Sequence, residues 1–304
     1  MADWSSLPAG TRVEFFHDHL TDRDALVARL EPFEVVVAMR ERTAFPRALL
    51  ERLPNLGLLV TTGPFNAAID LAAAADHGVV VCGTGGTAAA TAELTWGLIL
   101  AAARHIPLED AGVRAGRWQQ TIGPELHGKT LAVLGLGRLG GQIARVGNAF
   151  GMDVVAWSEN LTDERCAQVG GVTRVEKDEL FARADVLTIH LVLSDRTRGL
   201  VAERELRLMK PTALLVNTSR GPIVDEHALA RALREGVIAS AALDVFEEEP
   251  LPDHHPLRAA PNTVLTPHLG YVTEDTYRVF YRDAVDDIAA FLAGTPKRIV
   301  EPRS

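Results

Sequence analysis

The sequence predicts an α/β protein built from two halves, each a doubly wound parallel sheet. Three observations carry this. The length, 304 residues, exceeds one ordinary domain and suggests two. Short apolar runs of strand length alternate with helical patterns along both halves, which calls for parallel strands joined by crossover helices. In the second half a glycine-rich turn, Gly135-x-Gly137-x-x-Gly140, stands between a strand and a helix, where a parallel sheet offers a dinucleotide site.

In chain order, residues 13–16, 34–39, 58–61 and 79–82 read as strands. Residues 22–30, 46–53 and 67–77 read as helices, with Asp22 and Asn66 as candidate N-caps. Residues 88–104 form one long Ala/Leu-rich helix, apolar nearly all round, and so predicted to be buried between domains or between subunits. Residues 116–129 are rich in Gly, Pro and polar side chains and mark a candidate linker. Strands then follow at 130–134, 153–157, 186–190, 213–217, 241–245 and 263–266. Helices fall at 140–150, 178–184, 203–208, 226–235 and 273–292. Six strands with intervening helices suffice for a complete dinucleotide-binding domain.

Composition bounds the function. Hydrophobic residues make up 47% and charged residues 23%, which suits a soluble protein with a full core. The net charge of −9 disfavours nucleic-acid and anionic-membrane partners. Cys82 and Cys166 lack metal-ligand spacing, so no metal site is expected and the thiols fit a reducing, cytoplasmic setting. The first ten residues have neither a basic start nor an apolar signal run. Residues 94–103 are too few to span a bilayer.

The glycines have separate tasks. Gly135 permits the tight turn, Gly137 lets backbone approach a pyrophosphate, and Gly140 lets the helix lie against the sheet. Amides at the helix start, with the helix dipole, face the phosphates, so Gly135, Gly137, Arg138, Leu139 and Gly140 form the candidate cofactor loop. An acidic residue is expected about 20 positions later, at the end of the next strand, to hold the adenosine ribose. Ser158 stands there, with Glu159 next. Glu159 can accept from a ribose diol and repel a 2′-phosphate. That favours NAD, with NADP left open by Arg138.

Three later segments each place a polar residue just past a strand: Arg220, Glu249 and His268. A parallel sheet brings such ends to one edge. Arg220 can hold a carboxylate through two parallel hydrogen bonds. An imidazole titrates near neutrality, about 6.5, so His268 suits proton exchange with a hydroxyl. Glu249 can orient that ring. The cofactor supplies the hydride chemistry.

These segments carry a resemblance. Residues 92–95, 134–140, 190–200, 216–222, 242–250 and 266–270 resemble the D-isomer-specific 2-hydroxyacid dehydrogenases, a family that includes D-lactate, glyoxylate/hydroxypyruvate and phosphoglycerate dehydrogenases. The resemblance implies two Rossmann-like doubly wound parallel-sheet domains separated by an active-site cleft. The substrate domain is discontinuous, residues 1–99 plus 286–304, with the NAD(P)-binding domain at 100–285. It implies Arg220 as substrate binder, His268 as acid/base and Glu249 as its partner. It places Asp244 near the nicotinamide carboxamide, Thr95 and Thr218 along the cofactor, and Thr62, Gly63 and Pro64 on a loop whose amides grip the substrate carboxylate. A homodimer through the cofactor domains is implied as well. The chain departs from the family pattern at Ser158 and at Val192, where a proline is common. It is too short for the regulatory C-terminal domain of some phosphoglycerate dehydrogenases. Two alternatives stand beside the dehydrogenase: an NAD(H)-sensing interaction protein of the same fold, and a phosphite dehydrogenase.

Overall fold

The computed structural model describes residues 1–87 and 89–301 and divides into two compact units, residues 1–87 with 272–304 and residues 88–271. The boundaries expected at 99/100 and 285/286 instead fall inside two helices, α4 (Ala89–Ala103) and α11 (Glu274–Leu292). A continuous helix is a poor place to divide one core from another. The loops at residues 84–87 and 268–273 bracket the second unit instead. Ala88, the expected first residue of the long helix, lies outside the described residues.

The first unit is centred on three parallel strands in the order β1 (Val35–Ala38), β2 (Leu58–Thr61), β3 (Val80–Gly83). Side chains alternate across a strand. Leu59 and Val81 pack with α1 (Arg23–Leu30), α2 (Arg47–Leu50) and α3 (Leu71–Asp76) on one face. Leu58, Val60 and Cys82 pack on the other face with Ala284, Val285 and Ile288 of α11. Both faces are covered, so β2 is buried throughout and reads as an unbroken apolar run.

Two expectations fail here. Residues 13–16 form no strand: Phe15 and Phe16 are exposed and instead meet Trp4 and Phe33 edge-on. Asn66 does not cap a helix. The helix starts at Leu71, and the Asp70 side chain accepts from Ala73 N–H. The Asn66 amide braces a loop, donating to the Arg40 carbonyl at 2.7 Å and to Thr61 Oγ1 at 3.0 Å.

The second unit carries seven parallel strands: β4 (Thr130–Leu134), β5 (Asp153–Trp157), β6 (Val172–Arg174), β7 (Val186–Ile189), β8 (Leu214–Asn217), β9 (Ser240–Leu243) and β10 (Thr263–Leu265). Their spatial order is β10-β9-β8-β7-β4-β5-β6. The order reverses between β4 and β7, and a doubly wound sheet opens its ligand crevice at such a switch point. One face packs on α8 (Lys177–Arg183), α9 (Glu203–Leu208) and α10 (Glu226–Glu235). The other packs on α4, α6 (Arg138–Ala149) and α7 (Asp163–Val169). The apolar character of α4 is thereby absorbed within its own unit: Trp96, Leu98, Ile99, Ala102 and Ala103 lie in the sheet's core. Between α4 and β4, α5 (Ile106–Arg114) precedes the expected linker. Among the described residues no helix is long and apolar enough to cross a membrane, and no His/Cys/Asp/Glu group is placed to hold a metal.

Candidate active site

The glycine loop sits at the switch point, between β4 and α6. Gly135 has φ +104°, a region that favours glycine. A Cβ there would meet the His190 carbonyl at 2.8 Å. One at Gly140 would lie 2.1 Å from the Gly135 oxygen. Gly137 faces open space, with nothing within 4 Å of an added Cβ. Gly137 and Arg138 are exposed and Leu139 is half-buried. Helix α6 therefore presents its first amides over an open glycine, a cradle fitted to a pyrophosphate.

Beside it, His190 directly follows β7. Its Nε2 bonds Thr188 Oγ1 at 2.8 Å, while its buried Nδ1 has no partner among the described residues. Burial pushes this imidazole down to about 3, so the ring is neutral. The backbone of His190 packs against Gly135, and its unpaired Nδ1 is a buried polar atom that a polar partner would satisfy. Arg165 on α7 donates to the Leu136 and Gly137 carbonyls, each at 2.9 Å, and braces the loop from outside. Nothing in the spacing of the sequence pointed to it. Ser158 directly follows β5 and is half-buried; Glu159 is exposed.

Arg220, Glu249 and His268 follow β8, β9 and β10, and the last two meet. His268 Nδ1 lies 2.6 Å from Glu249 Oε2. Glu249 Oε1 accepts from Phe246 N–H at 2.9 Å. Burial alone would raise the Glu249 carboxyl. The His268 bond, that imidazole's charge, the Phe246 amide and the Arg220 charge outweigh burial and hold it below its ordinary value. His268 has φ +55°, a strained conformation for a non-glycine residue. It is held there by its own N–H, which donates to the Asp244 carbonyl at 2.8 Å. Tyr271 meets its ring edge-on at 5.3 Å. Arg220 is half-buried, and its Nη1 donates to the Ser219 carbonyl at 2.7 Å. Asn217 fixes this turn by donating to the Arg220 carbonyl and accepting from Ser219 N–H, each at 3.0 Å.

Several of the expected site residues also brace the fold. Asp244 has no exposed surface; its carboxylate accepts from Thr266 Oγ1 at 2.6 Å, Leu269 N–H at 2.7 Å and Gly270 N–H at 2.9 Å. It ties down the loop that carries His268. Burial raises its carboxyl above the ordinary value against these donors. Thr95 is fully buried. Its hydroxyl bonds the Thr91 carbonyl at 2.7 Å and Thr218 Oγ1 at 2.8 Å, which joins α4 to the end of β8. In the first unit, Thr62 N–H donates to Ala38 O at 3.0 Å and Gly63 N–H to Thr84 Oγ1 at 2.7 Å. Pro64 has no N–H. The amides expected to grip a carboxylate are thus already bonded, and the Arg40 guanidinium occupies the space over Gly63.

Comparison with known proteins finds relatives along most of the chain. A family model described as "D-isomer specific 2-hydroxyacid dehydrogenase, NAD binding domain" matches residues 96–270. A glyoxylate reductase of Aeropyrum pernix is 45% identical over 256 residues, 81% of this chain and 76% of that protein. A D-3-phosphoglycerate dehydrogenase of Methanocaldococcus jannaschii is 37% identical over 275 residues, 90% of this chain and 52% of that protein. The chain thus spans about half the length of such relatives. The crystal structure of a phosphoglycerate oxidoreductase from Vibrio cholerae matches with a TM-score of 0.91 at 39% identity, covering 97% of this chain and 95% of that one.

Proposed function

Because this chain belongs to the D-isomer-specific 2-hydroxyacid dehydrogenase family, NAD(P)-dependent oxidoreductases of 2-hydroxy and 2-oxo acids, we propose that Arg220, Glu249 and His268 carry its reaction on a small D-2-hydroxy acid. The observation behind this is the 2.6 Å contact between His268 Nδ1 and Glu249 Oε2. It fixes the proton on Nδ1 and leaves Nε2 as the reactive nitrogen. Arg220 pairs with the substrate carboxylate. The coenzyme, when bound, supplies or accepts the hydride. In reduction His268 gives its Nε2 proton to the carbonyl oxygen, and the Glu249 carboxylate complements the imidazolium before that transfer. In oxidation the same nitrogen takes the hydroxyl proton back.

Glyoxylate and hydroxypyruvate are the first substrates to try, since the glyoxylate reductase of Aeropyrum pernix has 45% identity. NAD is the preferred coenzyme in this reading. Exposed Glu159 follows β5, and Arg165 is committed to the glycine loop. The protein works in the cytoplasm as a homodimer. Its contact surface lies along α5 and the segment after it, where Ile106, Leu108, Val113, Trp118 and Ile122 are exposed.

A spectrophotometric screen of 2-oxo acids and phosphite, with NADH/NAD and NADPH/NADP in parallel, tests the reaction and the coenzyme together. His268→Ala should lower turnover by about 10²–10⁴-fold in a folded protein. Wild-type-like turnover in that variant refutes the assignment. Coenzyme binding without turnover indicates a sensor. Light scattering tests the dimer.

A further inference from the structure

Helix α10 opens with two acids that do different work. Asp225 is the N-cap, accepting from Ala228 N–H at 2.9 Å. Glu226 is not needed as a cap, yet it is only 5% exposed. A buried carboxylate destabilises a fold unless donors meet it. Both of its donors come from one segment, residues 246–257, which leads away from β9. Glu247 N–H donates to Oε1 at 2.8 Å. His255 Nε2 lies 3.1 Å from Oε2. His255 Nδ1 accepts from Leu257 N–H at 3.4 Å, so the ring is neutral with its proton on Nε2. Burial, followed by the charges of His227 and His254, holds that imidazole below its ordinary value.

Glu249 lies between these two anchor points. We propose that Glu226 is a positioning residue for the reaction: it clamps both sides of the strap that bears Glu249, and so sets where that carboxylate meets His268. This rests on the reading of Glu249 and His268 as the proton-handling pair. The strap has a third stop at its start, where Gly221, next to Arg220, packs directly on the Phe246–Glu247 peptide. The clamp therefore registers the segments bearing Arg220 and Glu249 against each other. An apolar side chain would fill this volume without desolvating a charge. Burial pushes the Glu226 carboxyl up to about 7, with Glu247 and Glu249 adding repulsion. A group held at that disadvantage is explained by the two donors it receives from the strap, one backbone and one side-chain.

The test compares Glu226→Ala, Glu226→Gln and His255→Ala in the whole chain. Glutamine keeps an acceptor for Glu247 N–H but offers its NH2, a donor, where the His255 Nε2 proton needs an acceptor. Because a displacement of about 1 Å at reacting groups costs on the order of 10²-fold, Glu226→Ala and His255→Ala should lower kcat for glyoxylate about 10- to 100-fold, and Glu226→Gln, which keeps one of the two contacts, should recover part of it. The KM for glyoxylate and the affinity for NADH should hold, since Arg220 and the glycine loop are untouched. The isotope effect with 4-deuterated NADH should rise as the chemical step slows. Deuterium exchange should quicken in residues 246–257 and nowhere in the sheet. Wild-type kcat in folded Glu226→Ala overturns the proposal. So does a glutamine variant as impaired as the alanine one. If Glu226→Ala does not fold, His255→Ala decides by the same readings. If the wild-type chain reduces no 2-oxo acid, the proposed reaction fails, yet exchange still judges the clamp. Quickening confined to residues 246–257 supports it, and unchanged exchange there refutes it.

Discussion

Gly221→Ala tests how closely the segments bearing Arg220 and Glu249 are registered. A Cβ at residue 221 would lie 1.9 Å from the Phe246 carbonyl carbon and 2.3 Å from Glu247 N. Ordinary contact begins at 3.4 Å, so the strap must retreat by 3.4 − 1.9 = 1.5 Å, or the Arg220 turn must move instead. Both opposing atoms are backbone, and no rotamer change relieves the overlap. Overpacking of this kind costs about 1–3 kcal/mol, and at about 2–4 °C per kcal/mol the melting temperature should fall by roughly 2–12 °C. The kinetic effect should be larger. A shift beyond 1 Å moves Glu249 or Arg220 out of register, which predicts a loss of about 10²-fold in kcat/KM for a 2-oxo acid. NADH binding, followed by fluorescence, should change little, because the glycine loop belongs to a different strand end. Full turnover with an unshifted melting temperature would refute the reasoning, since it would require 1.5 Å of slack that the packing does not show.

Other outcomes follow from the same contacts. Asp244→Ala removes the acceptor for Thr266, Leu269 and Gly270; it should destabilise by roughly 2–4 kcal/mol in thermal unfolding and lower kcat more than it raises the NADH dissociation constant. In the first unit, Asp287 is fully buried beside Arg298, its Oδ1 accepting from Nε at 3.0 Å. Burial pushes its carboxyl up to about 6 despite that partner. A folded value above the ordinary 3.8 means that its stabilising contribution is full below about pH 4 and is lost as pH rises through about 6. Asp287→Asn should therefore stabilise the protein more at about pH 8 than at about pH 4, as read by denaturant titration. Arg298→Ala should destabilise by about 3 kcal/mol at neutral pH, because it leaves the buried carboxylate unpaired. Burial pushes the Cys82 thiol up to about 11 and raises Cys166 as well. Neither should react with a thiol reagent until denaturant is added, and rapid native labelling would contradict their burial.

Much of the second unit is legible in the sequence itself. β4 and β5 are the strands expected at 130–134 and 153–157, and α9 and α10 match the expected helices at 203–208 and 226–235. β4 and β5 are short, mostly buried apolar runs, and α10 has a helical apolar period opened by the Asp225 cap. Three other elements carry weak signals in the sequence. β6 is three residues at the sheet edge with two exposed side chains. α5 keeps Ile106, Leu108 and Val113 exposed, so no inward stripe announces it. α7 is short, though Thr162 followed by two acids was a readable start. Residues 13–16 have the branched and aromatic character of a strand but no neighbouring strand to bond with, and pairing, not propensity, makes a strand.

The sequence by itself determined which chemical groups stand at the strand ends, because a period of two and a glycine turn are local properties of the chain. It placed Arg220, Glu249 and His268 after three successive strands, and the glycine loop at the start of α6. Only the tertiary structure decided what each group touches. It committed Asp244 to the His268 loop, closed Thr95 against Thr218, bonded the amides of Thr62 and Gly63 within their own unit, and set Glu226 beneath the strap of Glu249. The reason is physical. A hydrogen bond between residues twenty or a hundred positions apart depends on how strands register and helices dock, and no local pattern encodes that distance.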